Sequence, residues 1–496
     1  MADDERLATI ISFLQQQGFV WGPEPEIYGG AAGFFTYGPT GTLLKRRVEQ
    51  MIRRVFARHQ FFEVETPTIL PRTVWEASGH LSGFTDPLIQ DAKGNVYRAD
   101  KLVEDYFQEK GIKDSVPVKE KAILSAIDKY GIKSPAGERL KTEITFHSLM
   151  MRTNIGTDTE AYCRPETATA TYLPFLRYVE FFRKRLPFGV YQIGKAYRNE
   201  ISPRQHVLRM REFTQAEAQL FINPKRKDGY PGFRLVHDKS FPVLSWGSQQ
   251  KGEAAAMMSV ADAREKFLGS DAYAYTLYVA YELFTSFGIP VEKLRLRQHG
   301  PDEKAFYAAD AWDVEINLPT FGWYEVCGVH DRTDYDLSQH AKFSKKELSV
   351  FVEGDNERVV PHVLEIAFGV DRPVFALLDL FYTELGKEEG KSMFKVPYGL
   401  APIPVSVFPL VKKVNEKALE VFRIVQDSGI VCTFDDSGSI GKRYLRAAVI
   451  GTPFCVTIDF ETLDDNTVTV RDRDTEKQDR VKISELVNVL RSRLAS

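Results

Sequence analysis

The sequence contains few cysteines and no long apolar run. Its four cysteines, Cys163, Cys327, Cys432 and Cys455, lie far apart, and no two form a CxxC pair. This spacing argues against a disulfide framework and against a structural zinc site, so we expect neither. No apolar run approaches the roughly 18 residues of a membrane-spanning helix. The opening segment MADDERLATI lacks the basic and apolar pattern of a signal peptide. We therefore expect a cytoplasmic protein with no membrane partner.

Net charge gives no indication of a nucleic-acid partner when the chain is taken as a whole. The formal net charge of the 496 residues is −3, and the isoelectric point is about 6.4. A mass of 56.4 kDa and 43% hydrophobic residues indicate a globular protein of about three domains. The local balance differs between Arg177 and Arg211, where nine Lys or Arg residues accompany two Glu residues. Such a cluster is either a solvated face or an anion-binding site.

The chain divides near residues 396–405, where three prolines and a glycine occur close together. Before this boundary, residues 41–58 have the periodicity of a helix with one apolar face. Residues 101–142 read as a helical insertion. Residues 224–300 read as a second insertion, irregular at first and then helical. After the boundary, strands and helices alternate and predict a compact α/β module over residues 401–496.

The segment YRNEISPRQHVLRMREFTQAEAQLF has the most informative chemical pattern. Strand periodicity places Arg198 and Glu200 on one face and, after a loop, Arg209, Phe213 and Glu217 on one face of a second strand. Guanidinium groups suit phosphate oxygens, and an aromatic ring offers a stacking surface to a base. These residues therefore indicate a nucleotide site. A solvated antiparallel face with cross-strand ion pairs has the same alternation and stays open as the alternative.

Two further segments have features that suit a nucleotide. AWDVEINLPTFGWYEVCG predicts two strands that turn at Pro319, with Glu325 on the returning strand, where a carboxylate could hold Mg²⁺ beside polyphosphate. PHVLEIAFGVDRPVFALLDLF predicts a strand and a helix, with Asp371 as the N-cap and Arg372 at an N-terminus that suits an anion. Each feature alone is more simply a solvated acid or a capped helix. Three such segments in one chain favour a nucleotide site.

Residues of about 41–70, 190–221 and 360–385 resemble motifs 1, 2 and 3 of the class II aminoacyl-tRNA synthetases. Longer words are similar to glycyl-tRNA synthetases of the dimeric type: FTYGPTGTLLK, RTVWEASGHLSGFTDPL, CRPETA, REFTQAE, WYEVCGVHDRTDYDLSQH and VLEIAFGVDR. The resemblance implies an α/β (α+β) fold. Its catalytic domain, residues 1–400, would be an antiparallel sheet flanked by helices, and residues 401–496 would be an α/β anticodon-binding domain.

The resemblance also implies roles for the matching residues. Three are expected to be catalytic: Arg198, Glu200 and Arg372. The residues expected to bind ATP are Arg198, Asn199, Glu200, Arg209, Met210, Phe213, Glu325, Val326 and Arg372. The residues expected to bind glycine are Glu166, Glu217, Glu365, Ile366 and Ala367. Glu325 would also be the Mg²⁺ ligand, and the motif 1 region would form the interface of a homodimer.

The implied activity is the ATP-dependent attachment of glycine to tRNA(Gly) through glycyl-adenylate, with ATP and Mg²⁺ required. Two words depart from the family pattern: Ala367 stands in EIAFG where the family has a serine, and ETATA stands where it has ETAQG. An alanine cannot donate the hydrogen bond of a serine hydroxyl. The departures leave open a paralogue that activates another small amino acid or makes dinucleoside polyphosphates. A non-catalytic tRNA-binding accessory protein is a further alternative, against which Arg198 and Arg372 argue.

Lys442, Arg443 and Arg446 lie near the predicted N-terminus of a helix in the expected anticodon-binding domain. They are either contacts for anticodon phosphates or solvated helix residues, and the pattern does not separate the two readings.

Overall fold

The computed structural model describes residues 2–112, 117, 119–201, 203, 205–352, 356–385 and 391–495. Its strands, in chain order, are β1 (Val20–Trp21), β2 (Thr36–Tyr37), β3 (Phe61–Glu63), β4 (Ile69–Pro71), β5 (Thr85–Asp91), β6 (Val96–Arg98), β7 (Leu140–Ser148), β8 (Met151–Ile155), β9 (Thr159–Cys163), β10 (Phe188–Tyr197), β11 (Glu212–Ile222), β12 (Ser240–Leu244), β13 (Ala256–Ser259), β14 (Leu294–Gln298), β15 (Asp310–Leu318), β16 (Gly322–Asp331), β17 (Val350–Val352), β18 (Glu357–Val359), β19 (His362–Gly369), β20 (Tyr382–Leu385), β21 (Lys391–Phe394), β22 (Val405–Pro409), β23 (Cys432–Phe434), β24 (Phe454–Ile458), β25 (Thr467–Asp472) and β26 (Gln478–Lys482).

The α-helices are α1 (Ala2–Gln16), α2 (Pro39–Arg58), α3 (Arg72–Ala77), α4 (His80–Gly83), α5 (Ala99–Lys110), α6 (Glu120–Tyr130), α7 (Ala168–Tyr172), α8 (Phe175–Phe181), α9 (Trp246–Lys251), α10 (Val260–Lys266), α11 (Asp271–Ser286), α12 (Tyr335–Ser344), α13 (Asp371–Phe381), α14 (Asn415–Asp427), α15 (Ile440–Val449), α16 (Glu461–Asp465) and α17 (Ile483–Ala495). Within the described ranges, no helix combines the length and the apolar character needed to cross a membrane.

A nine-stranded sheet forms the centre of the larger, N-terminal part. Its order is β13-β12-β14-β15-β16-β19-β11-β10-β3, and neighbours are antiparallel except for the pairs β12–β14 and β10–β3. Helices α2, α11 and α13 pack against it around one apolar core, which includes Val48, Phe284, Ile366 and Val374. The expected antiparallel sheet flanked by helices is confirmed. The predicted apolar face of α2 lies in this core.

Strands β10 and β11 form the predicted antiparallel hairpin, with Gln192 opposite Glu217. Ala216 and Ala218 face the helices, while Gln215 and Glu217 face the other side of the sheet, as the alternation predicts. Gln215 and Glu217 are only 6% and 2% exposed. The alternative of a solvated face is therefore wrong, because the segment around Thr167 covers these side chains and hydrogen-bonds to both.

Helix α13 begins at Asp371, and Val370 is its N-cap residue, so the prediction of Asp371 as the N-cap is wrong. The carboxylate of Asp371 instead accepts three hydrogen bonds from elsewhere in the fold. They come from the Tyr37 hydroxyl at 2.7 Å, from Lys45 Nζ at 2.6 Å and from the backbone N–H of Thr214 at 2.8 Å. Asp371 thus joins α13 to α2 and β11.

The two predicted insertions contain the expected helices, α5 and α6 in the first and α10 and α11 in the second, together with strands that were not predicted. Residues 85–148 contain a three-stranded sheet of order β6-β5-β7, against which α5 and α6 pack around Ile89, Val103 and Ile127. Residues 113–116 and 118 of this segment lie outside the described residues. Residues 224–300 supply β12, β13 and β14 of the main sheet, and α11 lies in the main core. These strands are short, and several of them lack a clear alternation of apolar and polar residues. The domain boundaries stay predictions.

The C-terminal part has the predicted alternation of strands and helices around an apolar core of its own. Its strand order is β23-β22-β24-β25-β26, with β22 parallel to both β23 and β24. Arg443 is buried and donates to the carbonyls of Asp436 and Gly438 at 3.1 and 2.8 Å. Arg446 pairs with Asp435 at 2.5 Å. Both residues hold the loop before α15, so of the three basic candidates Lys442 alone stays exposed without an ion pair in the described structure.

Candidate active site

A cavity of about 490 Å³ opens on the face of the main sheet turned away from α2 and α11. Strands β11, β16 and β19, the loop between β10 and β11, and the start of α13 contribute side chains to it. The predicted site residues that line the cavity are Glu166, Arg198, Glu200, Arg209, Met210, Phe213, Glu217, Glu325, Glu365, Ala367 and Arg372. Residues far apart in sequence therefore meet in one place, as the motif resemblance implied.

Three predicted site residues do not line the cavity: Asn199, Val326 and Ile366. Val326 and Ile366 are fully buried in the core on the opposite side of the sheet. Val326 is the extra residue where the β15–β16 register shifts, and this bulge lets Glu325 and Gly328 both face the cavity. The backbone N–H of Asn199 donates to Leu149 at 2.8 Å, which ties the loop to residues after β7. The side chains of Val326 and Ile366 therefore face the core and do not line the cavity.

At one end of the cavity, the Arg198 guanidinium lies between two aromatic rings. Its Cζ is 5.4 Å from the ring centre of Phe213 and 5.5 Å from that of Phe84. Its Nε donates to the carbonyl of Pro165 at 3.1 Å. Burial, followed by the charge of Arg372, lowers the pKa of Arg198, while Glu166 opposes the shift. A buried guanidinium held by its Nε and flanked by rings suits an anionic ligand.

Two more guanidinium groups at this end form ion pairs. Arg209 Nε donates to Glu200 at 2.9 Å, and Glu200 is only 7% exposed. Arg372 Nη1 donates to the Glu325 carboxylate at 3.0 Å. Burial by itself would lower the pKa of Arg372. The neighbouring Glu325 carboxylate acts in the opposite direction, and the pKa of Arg372 is raised. These pairs hold both guanidinium groups at the cavity wall.

Carboxyl groups line the other end of the cavity. Glu217 accepts hydrogen bonds from Thr167 Oγ1 and Gln215 Nε2, both at 2.6 Å. Burial, together with the charges of Glu365 and Glu166, raises the pKa of Glu217 well above its ordinary value. Burial would also raise the pKa of Glu166. The charge and hydrogen bond of the His80 ring act against burial, and the pKa of Glu166 is lowered. An arriving ammonium group would favour the ionised form of Glu217.

Sequence reasoning missed Arg332, which neutralises the third carboxylate of this end. Its guanidinium is 6% exposed and donates to Glu365 at 3.1 Å and to Asp336 at 2.8 Å. His330 Nδ1 lies 3.3 Å from the same Glu365 carboxylate. Burial would raise the pKa of Glu365, but Arg332 and His330 lower it. In sequence, Arg332 beside Asp331 reads as a surface ion pair, so no local signal identified it.

Two other lining or neighbouring residues were also missed. His80 is the first residue of α4, and its Nε2 lies 3.5 Å from Glu166. Tyr307 lines the cavity, and its ring centre is 4.4 Å from Arg332 Cζ. His80 and Glu166 are 86 residues apart in the sequence, and Tyr307 and Arg332 are 25 residues apart, separations over which periodicity cannot show a contact.

The floor of the acidic end consists of small side chains beside one carboxyl group. The strand register places Ala367 opposite Glu217 on one side and opposite Gly328 on the other. A Cβ atom at Gly328 would lie 2.6 Å from Cε1 of His330, so position 328 has no room for a side chain in this arrangement. Position 328 is thus restricted to glycine by the His330 ring, and Glu217 supplies the carboxyl group beside this floor.

Three possible metal ligands, His299, Glu303 and Asp313, have ligand atoms within 4.8 Å of one another. Arg297 donates to Glu303 at 2.6 Å and to Asp313 at 2.8 Å, and His299 also bonds Asp313 at 2.8 Å. A guanidinium already compensates both carboxylates, so this cluster is an ion-pair network. Glu325, whose side chain is about half exposed (53%), lines the end of the cavity that contains Arg209 and Arg372.

Comparison with known proteins identifies relatives over nearly the whole chain. The family model "Anticodon binding domain" matches residues 404–493. The glycine–tRNA ligase of Pyrococcus horikoshii is 37% identical, with 96% of this chain and 97% of the relative covered. The enzyme of the same name from Methanothrix thermoacetophila is 38% identical, with 98% and 97% covered.

Solved structures share the fold. Giardia lamblia prolyl-tRNA synthetase in complex with prolyl-adenylate has a TM-score of 0.62 at 15% identity, covering 99% of this chain and 80% of that one. Prolyl-tRNA synthetase from Cryptosporidium parvum, complexed with halofuginone and AMPPNP, has a TM-score of 0.58 at 12% identity, covering 98% and 75%. The sequence identity to the ligases extends over nearly the full length of both chains. The chain therefore belongs to the glycine–tRNA ligase family, the class II aminoacyl-tRNA synthetases that attach glycine to tRNA.

Proposed function

We propose that the cavity of this ligase binds ATP and glycine side by side and joins them as glycyl-adenylate before transfer to tRNA(Gly). The division of one cavity into two ends supports this proposal. Guanidinium and aromatic groups lie at one end, and buried carboxyl groups lie at the other. Arg198 belongs to the guanidinium end, and its Nε donates to the carbonyl of Pro165, the residue before Glu166. The first environment suits a nucleoside triphosphate, and the second suits the ammonium group of an amino acid.

At the nucleotide end, we assign the roles that the motif resemblance implies, and the chemistry of each side chain suits its role. Arg198 binds the α-phosphate, and Arg209 binds the distal phosphates. Phe213 stacks on one face of adenine, and Arg372 covers the other face and reaches the γ-phosphate. Glu200 accepts from the adenine amino group. Asn199 and Met210 shape the loop around the nucleotide, and Val326 supports Glu325 from the core.

At the acidic end, Glu166 and Glu217 hold the ammonium group of glycine. Glu365 contributes less, because Arg332 already compensates its charge. We place the α-carbon beside Ala367 and Gly328, which are neighbours in the strand register. Glycine specificity then arises from exclusion of larger side chains together with recognition of the ammonium group.

The reaction needs orientation and charge stabilisation but no protein nucleophile. A carboxylate oxygen of glycine attacks the α-phosphorus, the bond to the bridging oxygen breaks, and pyrophosphate leaves with that electron pair. Arg198, Arg209 and Arg372 stabilise the developing negative charge. A terminal ribose hydroxyl of tRNA then attacks the glycyl carbonyl carbon, and AMP leaves. Burial raises the pKa of the Cys327 thiol well above its ordinary value, which makes this nearby cysteine unsuited to nucleophilic attack.

The cavity also fits a requirement for Mg²⁺ with ATP. Mg²⁺ is usually held by one or two carboxylates and by phosphate oxygens, and Glu325 offers a half-exposed carboxylate beside Arg372. Asp313, the other acid nearby, is compensated by Arg297. Bound there, Mg²⁺ would neutralise charge on the phosphates.

We further propose a homodimer through the motif 1 region. Strand β3 is the last strand of the main sheet, and Phe62 on it is 50% exposed. Phe181 is 68% exposed, and its ring centre lies 5.9 Å from that of Phe62. Exposed aromatic rings beside an edge strand suit a subunit interface. Light scattering is expected to give a dimer for the parent chain and a monomer for Phe62→Asp. A dimeric Phe62→Asp variant would contradict this interface.

ATP–pyrophosphate exchange tests the proposed chemistry. We expect glycine-dependent exchange by the parent enzyme and a loss of about 100-fold or more in Arg198→Ala, because a guanidinium that stabilises the transition state is removed. Arg177→Ala is the matched control, since the Arg177 side chain is 82% exposed on α8. Exchange by Arg198→Ala at the parental rate would show that this guanidinium does not bind the reacting phosphate.

A further inference from the structure

Lys45 is a buried cation at the junction of the three motif regions. It lies on α2, is only 8% exposed, and donates to Asp371 Oδ1 at 2.6 Å and to Thr214 Oγ1 at 2.8 Å. Its Nζ also lies 4.5 Å from the centre of the Tyr37 ring. These partners come from α13, from β11 and from the segment before α2, so one ammonium group contacts three separate parts of the fold.

The two residues that Lys45 holds are direct neighbours of cavity residues. Thr214 follows Phe213, and strand alternation turns Thr214 toward α2 while Phe213 faces the cavity. Asp371 precedes Arg372 at the start of α13. The second oxygen of Asp371 accepts from the Thr214 N–H at 2.8 Å. Lys45 therefore binds, from behind the sheet, the side chains of Thr214 and Asp371. These are the chain neighbours of Phe213 and Arg372.

We propose that Lys45 is a positioning residue for ATP, which sets the spacing between the Phe213 ring and the Arg372 guanidinium. The inference rests on the proposed function, in which these two groups enclose adenine. Without Lys45, the Asp371 carboxylate stays buried at 2% exposure with one cation fewer. The adjacent Arg372 is then the nearest residue along the chain that can replace the lost cation. Its guanidinium moves toward the Asp371 carboxylate and away from the nucleotide. ATP binding weakens, whereas the glycine end, built on Glu166 and Glu217, keeps its geometry.

Steady-state exchange kinetics of Lys45→Met test the proposal, with Arg6→Met as the matched control. Arg6 also pairs with a buried carboxylate of α13, Asp379, at 3.2 Å, two turns beyond Arg372. We expect Lys45→Met to raise the KM for ATP by about tenfold to 100-fold, as misplaced binding groups do, and to change the KM for glycine less than about twofold. We expect Arg6→Met to lower thermal stability and to leave both KM values unchanged.

Three results would overturn the inference. They are an unchanged KM for ATP in folded Lys45→Met, an equal rise in the KM values for both substrates, and the same kinetic change in Arg6→Met. Because Lys45→Met removes a buried charge, Tyr37→Phe is a second, milder variant that deletes one hydrogen bond to Asp371. It is expected to raise the KM for ATP alone, by a smaller factor, and parental KM values in it would also count against the inference.

Phe213→Ala separates this inference from the proposed function. A raised KM for ATP in Phe213→Ala together with parental kinetics in Lys45→Met would reject the positioning role alone. An unchanged KM for ATP in Phe213→Ala would reject the proposed adenine site itself, and the positioning role with it.

Discussion

Arg332 and Glu365 form a buried ion pair at 3.1 Å behind the glycine end of the cavity, with both side chains less than 10% exposed. The same guanidinium also bonds Asp336. Glu365 is thus compensated by the protein itself. Neither Glu217 nor Glu166 forms an ion pair with an arginine in the described structure, so we propose that these two carboxyl groups bind a substrate ammonium group.

Glutamine substitutions should separate these carboxyl groups. Glu217→Gln is expected to raise the KM for glycine about tenfold to 100-fold, because a hydrogen bond to a charged group contributes about 1.5–3 kcal/mol. Glu365→Gln is expected to lower the free energy of unfolding by about 3 kcal/mol, since Arg332 loses a buried partner, with a smaller effect on the KM for glycine. Exchange kinetics and chemical denaturation measure the two effects. A larger rise in KM for Glu365→Gln than for Glu217→Gln would contradict this assignment.

The raised pKa of Glu217 predicts a pH dependence of glycine binding. Burial and two neighbouring carboxylates favour the protonated form in the free enzyme, whereas the glycine ammonium favours the ionised form. The KM for glycine is therefore expected to fall as pH rises through the raised pKa. In the same window, above the ordinary glutamate pKa of about 4.3, stability of the free enzyme should decrease with rising pH, because the folded state binds more protons than the unfolded state.

Measurements from about pH 5 to pH 8 on the parent enzyme and on Glu217→Gln check this dependence. The variant should lose the slope in KM. A parental slope in Glu217→Gln would assign the titration to another group.

Gly328 is expected to tolerate no added methyl group. Alanine at this position places Cβ 2.6 Å from the His330 ring, which must move and disturb Glu365. We expect Gly328→Ala to lower stability by about 1–3 kcal/mol, as overpacking does, and to reduce glycine-dependent exchange. Gly441→Ala on α15 is the control, because no atom lies within 4 Å of its added Cβ. Parental exchange and stability in Gly328→Ala would show that the floor is looser than described.

In the C-terminal part, we predict that Arg443 contributes to the stability of the fold and that Lys442 does not. Arg443→Met leaves several buried carbonyls without a donor and should lower the stability of this domain by about 3 kcal/mol. Lys442→Met should change stability by less than about 0.5 kcal/mol. Calorimetry on the full chain gives both values. Equal stability of the two variants would contradict the role assigned to the buried guanidinium.

Local periodicity predicted much of the fold. The apolar face of α2, the β10–β11 and β15–β16 hairpins, and the C-terminal alternation of strands and helices all follow from spacing within about 20 residues. Strand alternation also contained the information that Ile366 faces the core when Glu365 and Ala367 face the cavity. The resemblance to the family implies a role for Ile366 in the site. Strand alternation instead predicts that its side chain faces the core, where the structure places it.

Long-range pairing could not be predicted in this way. Lys45 reads as one of several basic residues on the polar side of α2, yet it is buried against Asp371, 326 positions away. Arg332 and its carboxylates are a similar case, since only the assembled sheet brings Glu365 beside them. Such charged side chains become buried only when segments distant in the sequence pack together. Neither composition nor residue spacing indicates that packing.

Amino-acid-dependent ATP–pyrophosphate exchange, measured on the parent enzyme with glycine, alanine and serine, tests the central claim most directly. The account predicts exchange with glycine and a kcat/KM at least about 100-fold lower with alanine and serine, because the proposed specificity depends on exclusion of larger side chains from the acidic end. Exchange with alanine or serine at a rate equal to or above that with glycine would contradict it.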